Sequence, residues 1–456
     1  MQPSFLGRAL NHLKGDTLKA KALRSTLWTM TGVFGQNGLR LISNIILTKL
    51  LFPEAFGLMA MVQVFIVALQ TFSDIGIKTA IIQSKRGDDP VFLDTAWTLQ
   101  ILRGFGLWLM SCFLAFPAAK IYDQPELALL LPVTALCLIG QGFQPTRAAQ
   151  AERNLTLGRL TTIQLSVQTM TLMMIWLLAW WWQSVWALAV FQVISSVIDN
   201  ILTRIYIPGH KNRLGWDRES LREIKGFGQF ILFSTMASFL ILMSDRAVLG
   251  AYVDVTLFGI YSIALTFGSL PTLIGQTLGV KVLFPLYRLK SPTESDETRR
   301  KIFKAGRAIA ALGVIISTLL AFSGIWLLDL LYDDRYALAG PMLVLFALAA
   351  IPENVLVGSK PVLLAHGDSR RHFYLTVTSA AIQVSLLLLA VPAFGVVGAI
   401  LSPSLTLILT YPMRAFFIAK YRAWDPLNDI LGLSLGFALT GLACAWHWDA
   451  ITKLFV

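Results

Sequence analysis

Residues 308–328 read AIAALGVIISTLLAFSGIWLL, a run of 21 residues without a charged side chain. At about 1.5 Å of rise per residue, a helix of this length spans the roughly 30 Å hydrocarbon core of a membrane. Similar runs recur along the 456 residues, of which 55% are apolar and 14% charged, whereas about a quarter of a soluble domain is charged. The sequence therefore predicts an all-α polytopic membrane protein.

The apolar runs predict thirteen membrane-spanning helices, each close to the twenty or so residues that a membrane helix needs. Loop charge supports this number, because 30 of the 38 Lys and Arg residues fall in segments that face the cytoplasm if the N-terminus is inside. A missed or invented span before residue 420 would break this alternation. The predicted spans are 25–51, 56–83, 92–117, 128–150, 160–182, 186–207, 229–252, 256–280, 305–328, 338–364, 373–391, 395–418 and 428–447.

The spans divide into two halves. Phe56-Gly57 follows span 1, the same dipeptide recurs 202 residues later as Phe258-Gly259, and it occurs again as Phe394-Gly395. Both halves start on the same side, so they are predicted to be two parallel-repeat six-helix bundles around a central cavity that opens alternately to each face. One C-terminal helix then leaves the C-terminus outside, unless a fourteenth helix is missing from this chain.

Five domains follow from this organisation. The first span is predicted to be an uncleaved signal anchor, because it is too long for a signal-peptide core and has no small-residue cleavage site after it. The domains are a basic cytoplasmic N-terminal arm (1–24), an N-terminal bundle (25–207), a cytoplasmic linker (208–228), a C-terminal bundle (229–418), and an additional C-terminal helix and tail (419–456).

Several function classes are disfavoured. The net charge of +12 falls in short loops rather than in a continuous basic stripe, which argues against nucleic-acid binding. The three cysteines lie inside apolar spans and the five histidines in loops or at span ends, so no metal site is expected. A membrane enzyme that polymerises or ligates sugars would need a large outside loop, and the longest here has about a dozen residues. We expect a transporter rather than an enzyme.

Six motifs occur in order along residues 20–420: LFPEAFGLMA at 51–60, FSDIG at 72–76, AIIQ at 80–83, SDRAVLG at 244–250, FGIYSIA at 258–264 and VLFPLYRL at 282–289. In this order they resemble the polysaccharide transporter family (Wzx-like lipid-linked oligosaccharide flippases) of the multidrug/oligosaccharidyl-lipid/polysaccharide flippase superfamily. The longer members of that family carry fourteen helices, so the C-terminal region departs from the pattern.

The resemblance implies a flippase that translocates undecaprenyl-diphosphate-linked oligosaccharide across the bacterial inner membrane for surface or exopolysaccharide assembly. Its implied partners are this lipid-linked oligosaccharide, membrane lipids, and polysaccharide polymerase and export machinery. No cofactor is implied, and the driving force would be coupling to an H⁺ or Na⁺ gradient. The alternative is a cation-coupled multidrug or small-molecule exporter of the same superfamily, which would be expected to line its cavity with carboxylates.

Charged residues inside a membrane are functional candidates, because each costs about 2.5 to 3.5 kcal/mol on insertion scales. Arg103 lies near the midplane of span 3, where it is either a cavity cation for an anionic substrate or a structural partner of Asp74. Arg40 shares one helix face with polar amides four residues before and after it, and that face is expected to line a cavity. The predicted substrate-binding residues are Arg40, Arg103, Gln36, Asn37 and Asn44.

Four residues are candidates for gating or ion coupling: Asp74, Glu353, Asp245 and Arg246. Asp74 precedes Lys78 by four residues, so the two side chains could instead neutralise each other. Glu353 follows Pro352, which is expected to kink span 10 by removing a helix hydrogen bond; it is otherwise a packing residue. Asp245 and Arg246, near the outer end of span 7, are expected to form a gate or a packing contact.

The topology can be tested with single cysteines in a variant whose three native cysteines are replaced by serine. Arg213→Cys and Arg300→Cys lie in predicted cytoplasmic segments, and Lys120→Cys lies in a predicted outside loop. A thiol reagent that cannot cross the membrane, added from the periplasm, is expected to label only Lys120→Cys. Labelling of either of the other two variants in sealed cells would show that the predicted orientation is wrong.

Overall fold

The computed structural model describes residues 18–154 and 157–455. In these two ranges the chain is helical, with short turns and no β-strand, which confirms the predicted all-α class. The chain divides into two compact units: unit 1 is Met1–Leu51 with Phe65–Thr235, and unit 2 is Phe52–Val64 with Met236–Val456. Most of the predicted N-terminal arm lies outside the described residues.

The helices are numbered in chain order. The first eight are α1 (Leu18–Leu50), α2 (Pro53–Phe72), α3 (Ile77–Gln83), α4 (Pro90–Ile121), α5 (Leu127–Gly142), α6 (Arg147–Arg153), α7 (Leu157–Trp182) and α8 (Val185–Tyr206). Then follow α9 (Arg218–Leu249), α10 (Val255–Gly268), α11 (Leu270–Leu278), α12 (Phe284–Leu289), α13 (Asp296–Leu331) and α14 (Ala339–Val355). The last are α15 (Val362–Ala365), α16 (Ser369–Leu409), α17 (Tyr411–Ala419), α18 (Pro426–Trp446) and α19 (Trp448–Thr452).

Eight helices of the described residues are long and apolar enough to cross a membrane, or ten if each of two bent helix pairs is one span. One of the eight, Ser369–Ala419, covers two predicted spans and is broken at Gly395, where φ is 53° and ψ is −128°. Predicted spans 1 and 7 fall on α1 and α9, which are outside the ten. The multi-pass class is confirmed, and the number thirteen stays a prediction.

Several predicted spans are interrupted. Span 56–83 stops at the end of α2 and resumes at α3, because Gly76 has left-handed backbone (φ 68°, ψ 28°) and its N–H donates to Asp74 Oδ1 at 2.9 Å. Span 128–150 bends by 60° between α5 and α6, just before Pro145, where proline disfavours a helical residue ahead of it. Span 256–280 bends by 41° after α10.

Arg153, the last residue of α6, closes the end of α3. Its guanidinium Nη1 donates to the carbonyl oxygens of Ile81, Ile82 and Ser84 at 3.1, 2.9 and 2.6 Å. Its Nε donates to Asp88 Oδ2 at 3.2 Å. Because the last carbonyls of a helix have no partner within it, a cation at this position stabilises both the helix end and the turn that follows.

The linker predicted at 208–228 is part of the folded structure of unit 1. His210 Nε2 lies 2.7 Å from Asp94 Oδ1, and the Gly215 N–H donates to Thr98 Oγ1 at 3.0 Å, so the segment is held against α4. Its second half is the first three turns of α9. Residues 208–228 are therefore an ordered segment, and their assignment as a cytoplasmic linker stays a prediction.

The starts of α2 and α10 cross closely within unit 2. A Cβ added at Gly57 would collide with the carbonyl oxygen of Val255, and a Cβ added at Gly259 would collide with that of Pro53. Val255 follows Pro53 by the same 202 residues that separate the two glycines. The two contacts are therefore reciprocal, and both Phe-Gly dipeptides owe their glycine to one crossing.

Gly259→Ala is expected to destabilise the protein, because overpacking a close contact costs about 1–3 kcal/mol. The matched control is Gly441→Ala, since nothing lies within 4 Å of a Cβ at Gly441 and alanine favours helix more than glycine does. Thermal melting of the detergent-purified proteins should show a lower melting temperature for Gly259→Ala only. Equal melting temperatures for the two variants would contradict the close crossing.

Candidate functional site

Unit 1 contains a cavity of about 500 Å³, which we call the unit 1 cavity. Helices α2 to α7 and α9 contribute to its walls, and the breaks between α2 and α3 and between α5 and α6 border it. The walls carry five glutamines (Gln70, Gln100, Gln141, Gln144 and Gln164) and four charged residues (Asp74, Lys78, Arg103 and Glu152). This is a polar chamber inside apolar helices.

Arg103 reaches the C-terminal end of α2 from α4. Its Nε donates to Ser73 Oγ at 3.0 Å, and its Nη2 donates to the Gln70 carbonyl oxygen at 2.6 Å. Asp74 acts on it electrostatically, but the described residues show no ion pair between the two. Arg103 thus lines the unit 1 cavity and caps the end of α2, whose carbonyls lack helical partners; its role in substrate binding stays a prediction.

Lys78 pairs with Glu152 rather than with Asp74. The Lys78 Nζ lies 2.7 Å from Glu152 Oε1, which joins α3 to α6 across the cavity wall. Asp74 instead uses Oδ1 to accept the N–H of Gly76 and so fixes the break between α2 and α3. Lys78 therefore does not neutralise Asp74. The gating or ion-coupling role of Asp74 stays a prediction.

The five glutamines of the unit 1 cavity were not among the predicted site residues, because the search of these spans considered charged residues alone. Gln70 Nε2 donates to Gln141 Oε1 at 2.7 Å, and Gln100 Nε2 donates to the Gln141 carbonyl oxygen at 2.9 Å. Gln144 Nε2 donates to Asp199 Oδ2 at 3.0 Å. The available signal was that uncharged amides recur inside apolar spans, where they need polar surroundings.

The polar face of α1 is not part of this cavity. Arg40 is exposed, Asn37 Nδ2 donates to the Val33 carbonyl oxygen at 2.8 Å, and the Gln36 carbonyl oxygen accepts Gln168 Nε2 at 2.8 Å. Arg40, Gln36, Asn37 and Asn44 do not line the unit 1 cavity, so the structure does not bring them together with Arg103 there. Their role in substrate binding stays a prediction.

Unit 2 contains a second cavity, of about 480 Å³, which we call the unit 2 cavity. Asp245 is buried in its wall, and Asp245 Oδ2 accepts the Tyr261 hydroxyl at 2.7 Å. The other oxygen, Oδ1, has no hydrogen-bond partner in the described part of the chain. Arg246 does not line this cavity, and its Nη1 lies 3.1 Å from Met243 Sδ. Asp245 thus lines the cavity and Arg246 does not, and the gating or ion-coupling role of both residues stays a prediction.

Glu353 also lines the unit 2 cavity. It forms an ion pair with Lys360 and accepts a hydrogen bond from Gln276 Nε2 at 2.8 Å. The expected kink at Pro352 takes the form of a helix end: α14 stops at Val355 and a 3₁₀ turn follows. Glu353 is therefore a paired carboxylate beside a helix break, and its role in ion coupling stays a prediction.

The cations of the unit 2 cavity were assigned otherwise from the sequence. Lys360 and Arg414 were counted among the cytoplasmic loop cations, but Arg414 is buried on α17 and lines this cavity together with Lys360. His372, near the start of α16, lines it as well. The sequence did not predict the burial of Arg414, because Arg414 lies within a few residues of the end of a predicted span, where loop and helix cannot be separated by hydropathy.

Comparison with known proteins places these features in a family. The family model described as polysaccharide biosynthesis protein matches residues 46–341. The succinoglycan biosynthesis transport protein ExoT of Rhizobium meliloti is 23% identical over 73% of this chain and 67% of that protein. The teichuronic acid biosynthesis protein TuaB of Bacillus subtilis is 21% identical over 67% of this chain and 63% of TuaB. The matches thus span about two thirds of these relatives' lengths.

Two solved structures show the same fold. The lipid II flippase MurJ in an inward closed conformation aligns with a TM-score of 0.68 at 12% identity, over 93% of this chain and 99% of MurJ. An outward-facing multidrug resistance MATE family transporter of the MOP superfamily aligns with a TM-score of 0.51 at 16% identity, over 95% of this chain and 98% of that one. The resemblance drawn from the six motifs is confirmed.

Proposed function

Because this chain belongs to the polysaccharide biosynthesis protein family, we propose that it is a membrane transporter that flips a lipid-linked oligosaccharide for surface or exopolysaccharide assembly. In this proposal the lipid carrier is undecaprenyl diphosphate and the membrane is the bacterial inner membrane, with the N-terminus in the cytoplasm. Polysaccharide polymerase and export machinery would receive the product. The observation that carries the proposal is the chemistry of the unit 1 cavity.

The unit 1 cavity offers the groups that a sugar diphosphate needs. Glutamine amides both donate and accept hydrogen bonds, as sugar hydroxyls do, and five of them lie in its walls. Arg103 supplies a guanidinium, whose planar fork matches phosphate oxygens in a way that lysine does not. Two of its five N–H donors are used by Ser73 and Gln70, which fixes its position and leaves three donors, on Nη1 and Nη2, for a substrate.

The interrupted helices around this cavity support alternating access. Discontinuous helices at the binding site are typical of secondary transporters, because irregular backbone is tolerated there by water and polar partners. The break at residues 73–76 and the bend before Pro145 both lie in the cavity wall. Such points can absorb changes of backbone angle while the rest of each helix moves as a rigid body.

The rival proposal, a cation-coupled multidrug exporter, needs carboxylates that are free to hold a cationic drug. In the unit 1 cavity Glu152 is neutralised by Lys78, and in the unit 2 cavity Glu353 is neutralised by Lys360. Asp74 is engaged with the backbone of Gly76, which leaves Asp245 Oδ1, in the unit 2 cavity, as the buried carboxylate oxygen without a partner among the described residues. The MATE likeness does not favour this rival, since at 16% identity it concerns the fold.

Coupling to an H⁺ or Na⁺ gradient is the second part of the proposal, and Asp245 is its best candidate. Its Oδ1 lies buried in the unit 2 cavity without a partner, where it can take a proton or contribute to a sodium site. The described residues include no group of three His, Cys, Asp or Glu side chains arranged for a metal ion, so a tightly held divalent metal is not proposed. Glu353, already paired, is the weaker candidate.

The transport proposal is tested in a strain that lacks this gene and carries plasmid-borne variants. Arg103→Gln is expected to abolish surface polysaccharide and to accumulate lipid-linked oligosaccharide on the cytoplasmic face, whereas Arg103→Lys restores part of the export. Membrane abundance is measured in parallel, because loss of the cap on α2 also costs stability, about 1–3 kcal/mol for unmade buried hydrogen bonds. Arg300→Gln, at an exposed arginine near the start of α13, is the control. Normal export by Arg103→Gln at normal abundance contradicts the proposal.

The coupling proposal is tested by transport into proteoliposomes under an imposed H⁺ or Na⁺ gradient. Asp245→Asn keeps the shape of the side chain and the contact to Tyr261, but it removes the charge that a cation needs. We expect this variant to transport at the same low rate with and without the gradient. Asp329→Asn, an exposed carboxylate on α13, should keep the full response. A gradient response in Asp245→Asn equal to that of the unchanged protein would exclude Asp245 as the coupling site.

A further inference from the structure

Arg414 is the least compensated buried charge among the described cavity residues. It is 8% exposed, on α17, and it lines the unit 2 cavity. Its Nε has no hydrogen-bond partner in the described ranges, and its guanidinium forms no ion pair there. Arg103, by contrast, bonds to two oxygen atoms of neighbouring residues.

The carboxylates near this guanidinium are engaged elsewhere. Glu353 and Asp429 both act on it electrostatically. Glu353, however, is paired with Lys360, and Asp429 accepts the hydroxyl of Tyr411 at 2.9 Å. The cavity therefore presents a buried cation whose neighbours do not contact it.

A buried guanidinium without a contacting anion is costly, since removing its counter-charge leaves the full desolvation penalty. The cost is relieved if an anion enters the cavity. The rest of the lining indicates what kind of anion fits: His372 adds an imidazole that can donate a hydrogen bond, and Leu265, Leu375 and Leu407 provide an apolar wall. Arginine binds phosphate oxygens through two parallel hydrogen bonds, which Arg414 has free to offer.

We propose that the unit 2 cavity is a binding site for a phosphate-bearing amphiphile. Arg414 holds the phosphate, His372 donates to it, and the leucines take the beginning of the apolar chain. At about 480 Å³ the cavity holds the head and a few chain carbons, in the range of ordinary ligand pockets. This site is not part of the unit 1 cavity, and it shares its wall with Asp245, the residue proposed above for coupling.

Two classes of ligand carry both a phosphate and an apolar tail: isoprenoid phosphates and membrane phospholipids. Four probes distinguish them on the purified full-length protein in uncharged detergent: farnesyl phosphate, acyl lysophosphatidic acid, farnesol and inorganic phosphate. We expect both phosphate amphiphiles to bind, and farnesol and inorganic phosphate to bind about tenfold more weakly or worse. The amphiphile that binds more tightly shows whether the apolar tail of the ligand is an isoprenoid or an acyl chain. Equal binding of farnesyl phosphate and inorganic phosphate would overturn the assignment of an amphiphile.

The site is assigned by substitution. Arg414→Gln is expected to weaken binding of the tighter probe about tenfold or more, which is the loss of roughly one charge-assisted hydrogen bond. Arg300→Gln, exposed and distant in sequence, should bind as the unchanged protein does. Unchanged affinity in a folded Arg414→Gln protein overturns the proposal. Export measured on the same variant separates this result from the transport proposal, which rests on Arg103.

A measurement without substitution covers the case in which Arg414→Gln does not fold. Phenylglyoxal modifies accessible guanidinium groups, and peptide mass spectrometry of the unchanged protein reads each arginine separately. We expect Arg414 to be modified, and to be protected by the phosphate amphiphile but not by farnesol. Modification that the probe does not reduce overturns the proposal. Absence of modification also overturns it, because a cavity closed to phenylglyoxal is closed to a larger amphiphile.

Discussion

The architecture depends on one constraint: hydrocarbon offers no hydrogen bonds, so each polar group inside the membrane must find its partner within the chain or in water. The constraint is most severe where a helix breaks, because carbonyl groups lose their helical partners there. At these places the chain supplies cations. Arg153 covers three carbonyls at the end of α3, and Arg103 covers the end of α2. The break that Arg103 covers borders the unit 1 cavity, so Arg103 both stabilises the fold and shapes the site.

Hydropathy and loop charge predicted the class and most helix positions, since each is a sum over about twenty residues and tolerates local errors. The bend at Gly76 was also predictable, because a glycine beside a polar residue in an apolar span favours a break in the helix. Contacts between segments that are distant in the sequence were not predictable. Arg103 bonds to a residue 33 positions earlier, and Lys78 to one in α6, so neither partner could be read from helical spacing. Local spacing had favoured the wrong partner for Lys78.

Depth in the membrane, judged from sequence, ranked the cations differently from the structure. Arg103 was selected because it lies near the middle of a span, but its guanidinium is substantially satisfied by a hydroxyl and a carbonyl. Arg414 was passed over because it lies near a span end, although it is buried and lacks such contacts. The free energy of a charge depends on its first neighbours more than on its distance from the membrane surface, since nearby dipoles replace the lost water. Depth in the membrane can select candidate charged residues from the sequence. Which of them is available for a ligand depends on the hydrogen bonds and ion pairs that each one makes.

The reciprocal crossing of α2 and α10 gives the internal repeat a physical basis. When equivalent segments meet about a local two-fold axis, a residue of one contacts its neighbour's equivalent in the other, and the reverse contact follows. Gly57 with Val255 and Gly259 with Pro53 fulfil this condition, and Thr256 Oγ1 donates to Glu54 Oε1 at 2.9 Å, again between positions 202 residues apart. One steric requirement then acts on both copies, because a side chain on either glycine would push the same two helices apart. A dipeptide that is weak evidence in the sequence thus becomes a symmetric contact, and the two halves need to resemble each other only where they touch.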